Sequence, residues 1–123
     1  MTPTGHHHAP AWFDISSPDT SRAQRFYQEM FGWAMNAVEE EGYTLVGGEG
    51  GQPIGGIGQA GPGSPYPPGI VVYFQVDNVD TALARAEQLG GSRTLDPVSL
   101  PPGMGRMAVF TDPDGNPVGL LGP

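Results

Sequence analysis

The chain has 123 residues, with 20 Gly, 14 Pro, no Cys and a formal net charge of −8. This length suits a single domain with one hydrophobic core, and the lack of Cys excludes disulfides and thiolate chemistry. The negative charge repels phosphate backbones and anionic lipid, so it argues against nucleic acid and membrane surfaces as partners.

Residues 1–9 are predicted to form a flexible N-terminal tail. The tail carries His6, His7 and His8, but nothing in the sequence would hold these imidazoles in a fixed metal-binding geometry. The start of the chain lacks the basic and apolar regions of a signal peptide, and no apolar run approaches the length of a membrane span. We therefore expect a cytoplasmic protein.

The first strand is predicted over Pro10 to Ile15. Its alternation places Phe13 and Ile15 on one face and Trp12 and Asp14 on the other. Cap-forming residues at positions 17–20 then begin a helix that runs to Phe31 and ends at Gly32. The helix carries one apolar stripe, formed by Ala23, Phe26, Tyr27, Met30 and Phe31.

Short strands separated by glycine-rich turns complete the first half of the chain. They are predicted over Trp33–Val38, Tyr43–Val46 and Pro53–Gly58. A linker rich in Gly, Pro and Ser follows over residues 59–69. The first half therefore has the order βαβββ.

The second half repeats this order. A strand over Ile70–Val76 leads into a helix over Val79–Leu89, which begins after the cap-forming residues Asp77 and Asn78. Three strands follow, over Ser92–Val98, Arg106–Thr111 and Pro117–Leu121. A supersecondary unit used twice must pack with its copy, so we expect one domain over 10–123, with modules at about 10–58 and 70–121.

Both modules carry residues that resemble the vicinal oxygen chelate superfamily, also called the glyoxalase/bleomycin-resistance/dioxygenase group. The carriers are Asp19, Arg22-Ala23, Phe26-Tyr27 and Phe31-Gly32-Trp33 in module one, and Val76-Asp77-Asn78-Val79-Asp80, Leu89-Gly90-Gly91 and Asp112-Pro113-Asp114-Gly115-Asn116 in module two. The resemblance implies an α+β fold of two βαβββ modules that form a cupped, half-barrel-like mixed sheet with the helices outside. It also implies a homodimer, because family members often pair chains across exposed strand edges.

The family's chemistry comes from a divalent metal in the cup. The resemblance places its ligands at about Trp12 and Val71 in the first strands, and at Gly119 and within Ile54–Ile57 in the last strands. Tryptophan, valine, isoleucine and glycine side chains offer no metal ligand. We therefore expect neither a metal nor another cofactor.

The rest of the cup is predicted to bind a small organic ligand. The candidate ligand-binding residues are Trp12, Asp14, Tyr43, Tyr66, Val71, Tyr73, Gln75, Met104, Arg106, Met107, Phe110 and Gly119. Aromatic and Met side chains with a few polar groups suit a flat molecule, and a glycine at 119 is expected to open space. An alternative stays open, in which Trp12 and Tyr73 simply fill the cup.

The resemblance favours metal-independent binding of a small aromatic or polycyclic molecule, as in antibiotic-sequestering resistance proteins. The alternative is an enzyme of the same superfamily, catalysing an isomerase, lyase, hydrolase or oxygenase-like tailoring step. Asp14 would then be its catalytic acid or base, or the tail histidines would provide an atypical metal site. A competing interpretation makes Asp14 a structural carboxylate that is hydrogen-bonded to the backbone or to Trp12.

Overall fold

The computed structural model describes residues 8–38, 42–48, 52–61, 69–100 and 102–123. Within these ranges the chain forms eight strands and two helices, in the order βαβββ followed by βαβββ. The repeat and the α+β class are thereby confirmed. Neither helix is long and apolar enough to cross a membrane.

The elements lie within a residue or two of their predicted bounds. In the first half they are β1 (Pro10–Ser17), α1 (Thr20–Phe31), β2 (Ala34–Val38), β3 (Tyr43–Gly47) and β4 (Pro53–Gln59). In the second half they are β5 (Gly69–Gln75), α2 (Val79–Gln88), β6 (Ser92–Ser99), β7 (Arg106–Thr111) and β8 (Pro117–Gly122). The chain divides into two compact units, Trp12–Val71 and Val72–Pro123, the latter together with the start of the chain up to Ala11.

Each unit contains a mixed four-stranded arrangement with the same internal pattern. In the first, the order is β2-β3-β4-β1, and β1 runs parallel to β4 with Asp14 opposite Gly56. In the second, the order is β6-β7-β8-β5, and β5 runs parallel to β8 with Tyr73 opposite Gly119. Asp14 and Tyr73 therefore hold equivalent places in the repeat, as do Gly56 and Gly119.

Both helices begin at the capping residues that the sequence indicates. The Asp19 carboxylate accepts a hydrogen bond from the Arg22 amide at 3.1 Å, and the Asn78 side chain accepts one from the Thr81 amide at 2.9 Å. Gly32 ends α1 in the left-handed conformation, with φ 72°, which glycine adopts without the steric cost of a Cβ.

Each helix packs on one face of the strands of its own unit. Buried apolar side chains of the helix and the strands form the core there: Ile15, Ala23, Val46 and Ile57 at α1, and Val76, Val79, Leu83, Ala108 and Leu120 at α2. Because side chains alternate along a strand, Trp12 and Asp14 lie on the face of β1 that points away from α1. That face carries the candidate site of the first unit.

The apolar stripe of α1 is only partly buried. Ala23 lies in the core and Tyr27 packs against it, but Phe26, Met30 and Phe31 are 60%, 63% and 55% exposed. The space beneath this end of the helix is taken by aromatic rings, since the Tyr27 ring stacks on Trp33 with the ring centres 5.5 Å apart. The outer part of the stripe therefore faces solvent.

Candidate functional site

The face of the first unit opposite α1 brings together Trp12, Asp14 and Tyr43. Trp12 and Asp14 belong to β1, whereas Tyr43 begins β3, and β4 lies between these two strands. The Tyr43 side chain crosses β4 over Gly56 and Gly58. A Cβ at Gly56 would stand 1.9 Å from the Tyr43 hydroxyl oxygen, so only glycine permits this crossing.

Hydrogen bonds join the three side chains. The Trp12 indole N–H donates to Asp14 Oδ1 at 3.2 Å and to the Tyr43 hydroxyl at 3.1 Å. The Tyr43 hydroxyl donates a short hydrogen bond to the same Asp14 oxygen. The bond between Trp12 and Asp14 is the one that the structural interpretation of Asp14 expects, while Tyr43 is a second donor that sequence reasoning missed.

The geometry of this cluster leaves one carboxylate oxygen of Asp14 available for a further hydrogen bond. Both hydrogen bonds to the carboxylate end on Oδ1, and within the described residues none ends on Oδ2. All three side chains are half-buried. A carboxylate oxygen beside two aromatic side chains can accept a hydrogen bond from a ligand whose flat part contacts those side chains.

In the second unit, Tyr73 occupies the place on β5 that is equivalent to that of Asp14 on β1. Its side chain leans over Gly119, the register partner of Tyr73, and a Cβ at Gly119 would stand 2.2 Å from Tyr73 Cδ2. Tyr73 is only 2% exposed, and Met107 of the same unit is also buried, as is Val71 at the end of the first unit. The expectation that Gly119 opens space is therefore not met, because the Tyr73 ring fills that space.

Two further candidates lie on the opposite face of β7, towards α2. The Arg106 guanidinium donates to both carboxylate oxygens of Asp80 on α2, at 2.5 and 3.2 Å. Phe110 packs against the core beneath α2. Residues 106, 108 and 110 share this face by strand alternation, whereas Met107 points to the face that carries Tyr73.

The remaining candidates are dispersed. Gln75 is exposed at the end of β5, where its carbonyl oxygen lies 3.0 Å from Nδ1 of His8. Met104 is 54% exposed in the loop before β7. Tyr66, His6 and His7 lie outside the described residues.

The metal that the family resemblance implies does not fit these residues. The Trp12 indole and the buried Val71 side chain occupy the expected ligand places in the first strands. In the last strands, the rings of Tyr43 and Tyr73 cover Gly56 and Gly119. The described residues contain no group of three or more His, Cys, Asp or Glu that could hold an ion. A carboxylate on either glycine would collide with a tyrosine ring.

Residues 7–120 match the Glyoxalase/Bleomycin resistance protein/Dioxygenase superfamily. The fold and this match define the class: the chain belongs to that superfamily. It is also 34% identical to the anthracycline biosynthesis protein DnrV of Streptomyces peucetius, over 87% of this chain and 44% of DnrV. The chain thus spans less than half the length of this curated relative.

Solved structures agree on the fold. The Mn(II)-bound glyoxalase from Novosphingobium aromaticivorans superposes with a TM-score of 0.67 at 18% identity, over 94% of this chain and 38% of that one. Methylmalonyl-CoA epimerase from Mycobacterium tuberculosis superposes with a TM-score of 0.63 at 17% identity, over 100% and 93% of the two chains. At these identities the likeness concerns the fold alone.

Gly119→Ala should destabilise the protein, because the new methyl group must displace the buried Tyr73 ring. Overpacking of this kind costs about 1–3 kcal/mol of unfolding free energy. Gly48→Ala is the matched control, since the nearest atom to its added Cβ would be Ile54 Cγ2 at 3.4 Å, an ordinary contact. Urea denaturation of both variants measures the difference, and equal stabilities would contradict the packing of Tyr73 on Gly119.

Arg106→Gln should raise the pKa of Asp80 towards 3.8, because the hydrogen bond from Arg106 and then its charge lower that pKa in the wild type. Because the pKa of Asp80 is lower in the folded state, its ionised carboxylate stabilises the fold above pH 3.8. This stabilisation is lost as the pH falls through the folded-state pKa of Asp80. The stability difference between wild type and variant should therefore shrink on acidification below that pH.

An NMR titration of the side-chain carboxyl groups checks this prediction. Asp112 provides the internal control, because hydrogen bonds from the Asn116 side chain and backbone hold its pKa low independently of Arg106. A variant in which the pKa of Asp80 does not change would show that the ion pair is absent in solution.

Proposed function

We propose that this protein binds a small aromatic or polycyclic molecule, without a metal, at the cluster of Trp12, Asp14 and Tyr43. The observation that carries the proposal is the hydrogen-bonded arrangement of one carboxylate and two aromatic side chains on a half-buried surface. Such a surface combines apolar area with a polar group that fixes the orientation of a ligand.

The cluster is organised before a ligand arrives. Three hydrogen bonds hold the side chains, and glycines in β4 give the Tyr43 ring its place, so binding orders few additional rotamers. A low ordering cost leaves more of the contact energy for affinity. The Asp14 oxygen that accepts no described hydrogen bond would receive a hydroxyl or an ammonium group of the ligand.

The comparison with DnrV supports an aromatic ligand. DnrV is named for anthracycline biosynthesis, and anthracyclines are polycyclic aromatic molecules. We infer a cytoplasmic role in which this chain sequesters such a compound, as an antibiotic-resistance protein does. The inference draws on part of that relative, since the chain matches only 44% of it.

A second candidate function is metal-free catalysis by the same cluster. The hydrogen bond between the Tyr43 hydroxyl and Asp14 places a proton between two groups that can exchange it with a bound molecule. Asp14 would then act as the acid or base of an isomerase, lyase, hydrolase or tailoring step. The two functions make different demands on Asp14.

Asp14→Asn distinguishes them. Asparagine has nearly the same size and still accepts hydrogen bonds, so a binding protein should lose only about 1–2 kcal/mol of affinity. An enzyme that uses Asp14 as a general base should lose roughly 10²–10⁴-fold in turnover while it retains binding. Asp96→Asn is the matched control, because the Asp96 carboxylate lies on an exposed ion pair with Arg93 in the second unit.

The wild type and each variant are titrated with an anthracycline and then with a panel of other polycyclic aromatics, and tryptophan fluorescence reports the binding. Mass spectrometry after prolonged incubation reports whether the compound is unchanged. Intact compound with weaker binding by Asp14→Asn supports sequestration. Conversion by the wild type that Asp14→Asn abolishes establishes catalysis instead, and an affinity that both Asp variants leave unchanged places the binding site elsewhere.

A further inference from the structure

Asp14 is the acidic group of the cluster with Trp12 and Tyr43, and within the described residues it forms no ion pair. Its two described hydrogen bonds come from uncharged donors, the Trp12 indole and the Tyr43 hydroxyl. Other carboxylates of the chain do bind an arginine: Glu87 and Asp96 bind Arg93, and Asp80 binds Arg106. Asp14 is half-buried, and a carboxylate that is partly removed from water gains from a counter-charge.

The chain places its own cations away from this carboxylate. It has five arginines and no lysine. Arg22 and Arg25 lie on α1, whereas the face of β1 that carries Asp14 points away from that helix. The other three arginines belong to the second unit. Neither arginine of the first unit is therefore placed to neutralise Asp14, and a bound ligand can supply that charge.

The two aromatic side chains suit the same kind of ligand group. Trp12 Nε1 lies 3.2 Å from Asp14 Oδ1, and the Tyr43 hydroxyl bonds to the same oxygen, so the carboxylate lies directly beside both. The faces of indole and phenol rings attract cations, and tryptophan does so most strongly. A charge-assisted hydrogen bond is also roughly twice as strong as a neutral one. Together these groups favour an ammonium over a hydroxyl.

We propose that the cluster binds a cationic ligand, an aromatic or polycyclic molecule with a protonated amine whose N–H group donates to Asp14 Oδ2. An ionised carboxylate only accepts hydrogen bonds, and Oδ2 accepts none within the described residues, so the ligand is the donor. The net charge of −8 attracts a cation to the protein and repels an anion. This inference rests on the proposed function and specifies the polar group of its ligand.

Three anthracene derivatives with one ring system test the charge of the ligand. At neutral pH aminomethylanthracene is a cation, hydroxymethylanthracene is neutral and anthracene carboxylate is an anion. Equilibrium dialysis against the full chain measures the dissociation constant of each. The wild type should bind the amine at least about tenfold more tightly than the alcohol, and the carboxylate most weakly. This comparison needs no variant, so it does not depend on whether a variant folds.

Asp14→Asn locates the preference for the amine. Asparagine keeps the size of the side chain but removes its charge, so the variant should bind the amine and the alcohol within about threefold of each other. Asp96→Asn is the matched control, because it changes the net charge equally but lies on an exposed ion pair with Arg93. It should retain the preference of the wild type.

Equal affinities of the wild type for the amine and the alcohol would overturn the cationic ligand and leave the aromatic site intact. The same conclusion follows if Asp14→Asn keeps the preference, or if Asp96→Asn loses as much of it as Asp14→Asn does. A wild type that binds none of the three probes up to about 1 mM would contradict the proposed function as well.

Discussion

The packing of a tyrosine ring on a glycine of the last strand recurs in both halves of this protein, and it excludes any side chain larger than hydrogen at that glycine. Tyr43 lies over Gly56 in the first unit, and Tyr73 lies over Gly119 in the second. In both cases an added Cβ would overlap the ring, so the tyrosine and the glycine depend on each other. The two units reach this result by different routes, because Tyr43 comes from the neighbouring antiparallel strand and Tyr73 from the parallel one.

This packing changes the chemistry of the places where the family holds its metal. At the last-strand places where the resemblance expects a glutamate, a tyrosine ring lies against the glycine, so a longer side chain there would overlap the ring. The two halves differ in what remains. Tyr73 is buried and belongs to the core, whereas Tyr43 is half-buried and its hydroxyl forms hydrogen bonds with Asp14 and Trp12. The ligand site that we propose therefore lies in the first unit.

Local patterns in the sequence predicted much of the fold. Apolar periodicity and capping residues predict both helices, including the caps at Asp19 and Asn78. Strand alternation predicts the face of β1 that carries Trp12 and Asp14. These features depend on neighbours a few residues apart. The family resemblance supplied the ligand places and, with them, the positions where glycine replaces a carboxylate.

Contacts between distant residues decided what the sequence could not predict. The sequence suggests open space at Gly119, but the register places the Tyr73 ring there. It also suggests that Arg106 binds a ligand, but Asp80 on α2 forms an ion pair with it. The stripe on α1 has the period of a buried face, yet its outer part is exposed because Trp33 and Tyr27 already cover the core. A tyrosine near a glycine-rich strand is the one sequence signal that would have indicated the crossing of Tyr43.

We infer that tyrosine rings occupy the last-strand places at which the family resemblance expects metal ligands. Calorimetric titration of Mn²⁺ into the full chain, with His6, His7 and His8 replaced by Ala to remove loose tail binding, tests it most directly. The structure predicts no saturable binding up to about 1 mM Mn²⁺, since the residues at the ligand places offer no suitable donors. One ion bound per chain with micromolar or tighter affinity would contradict it.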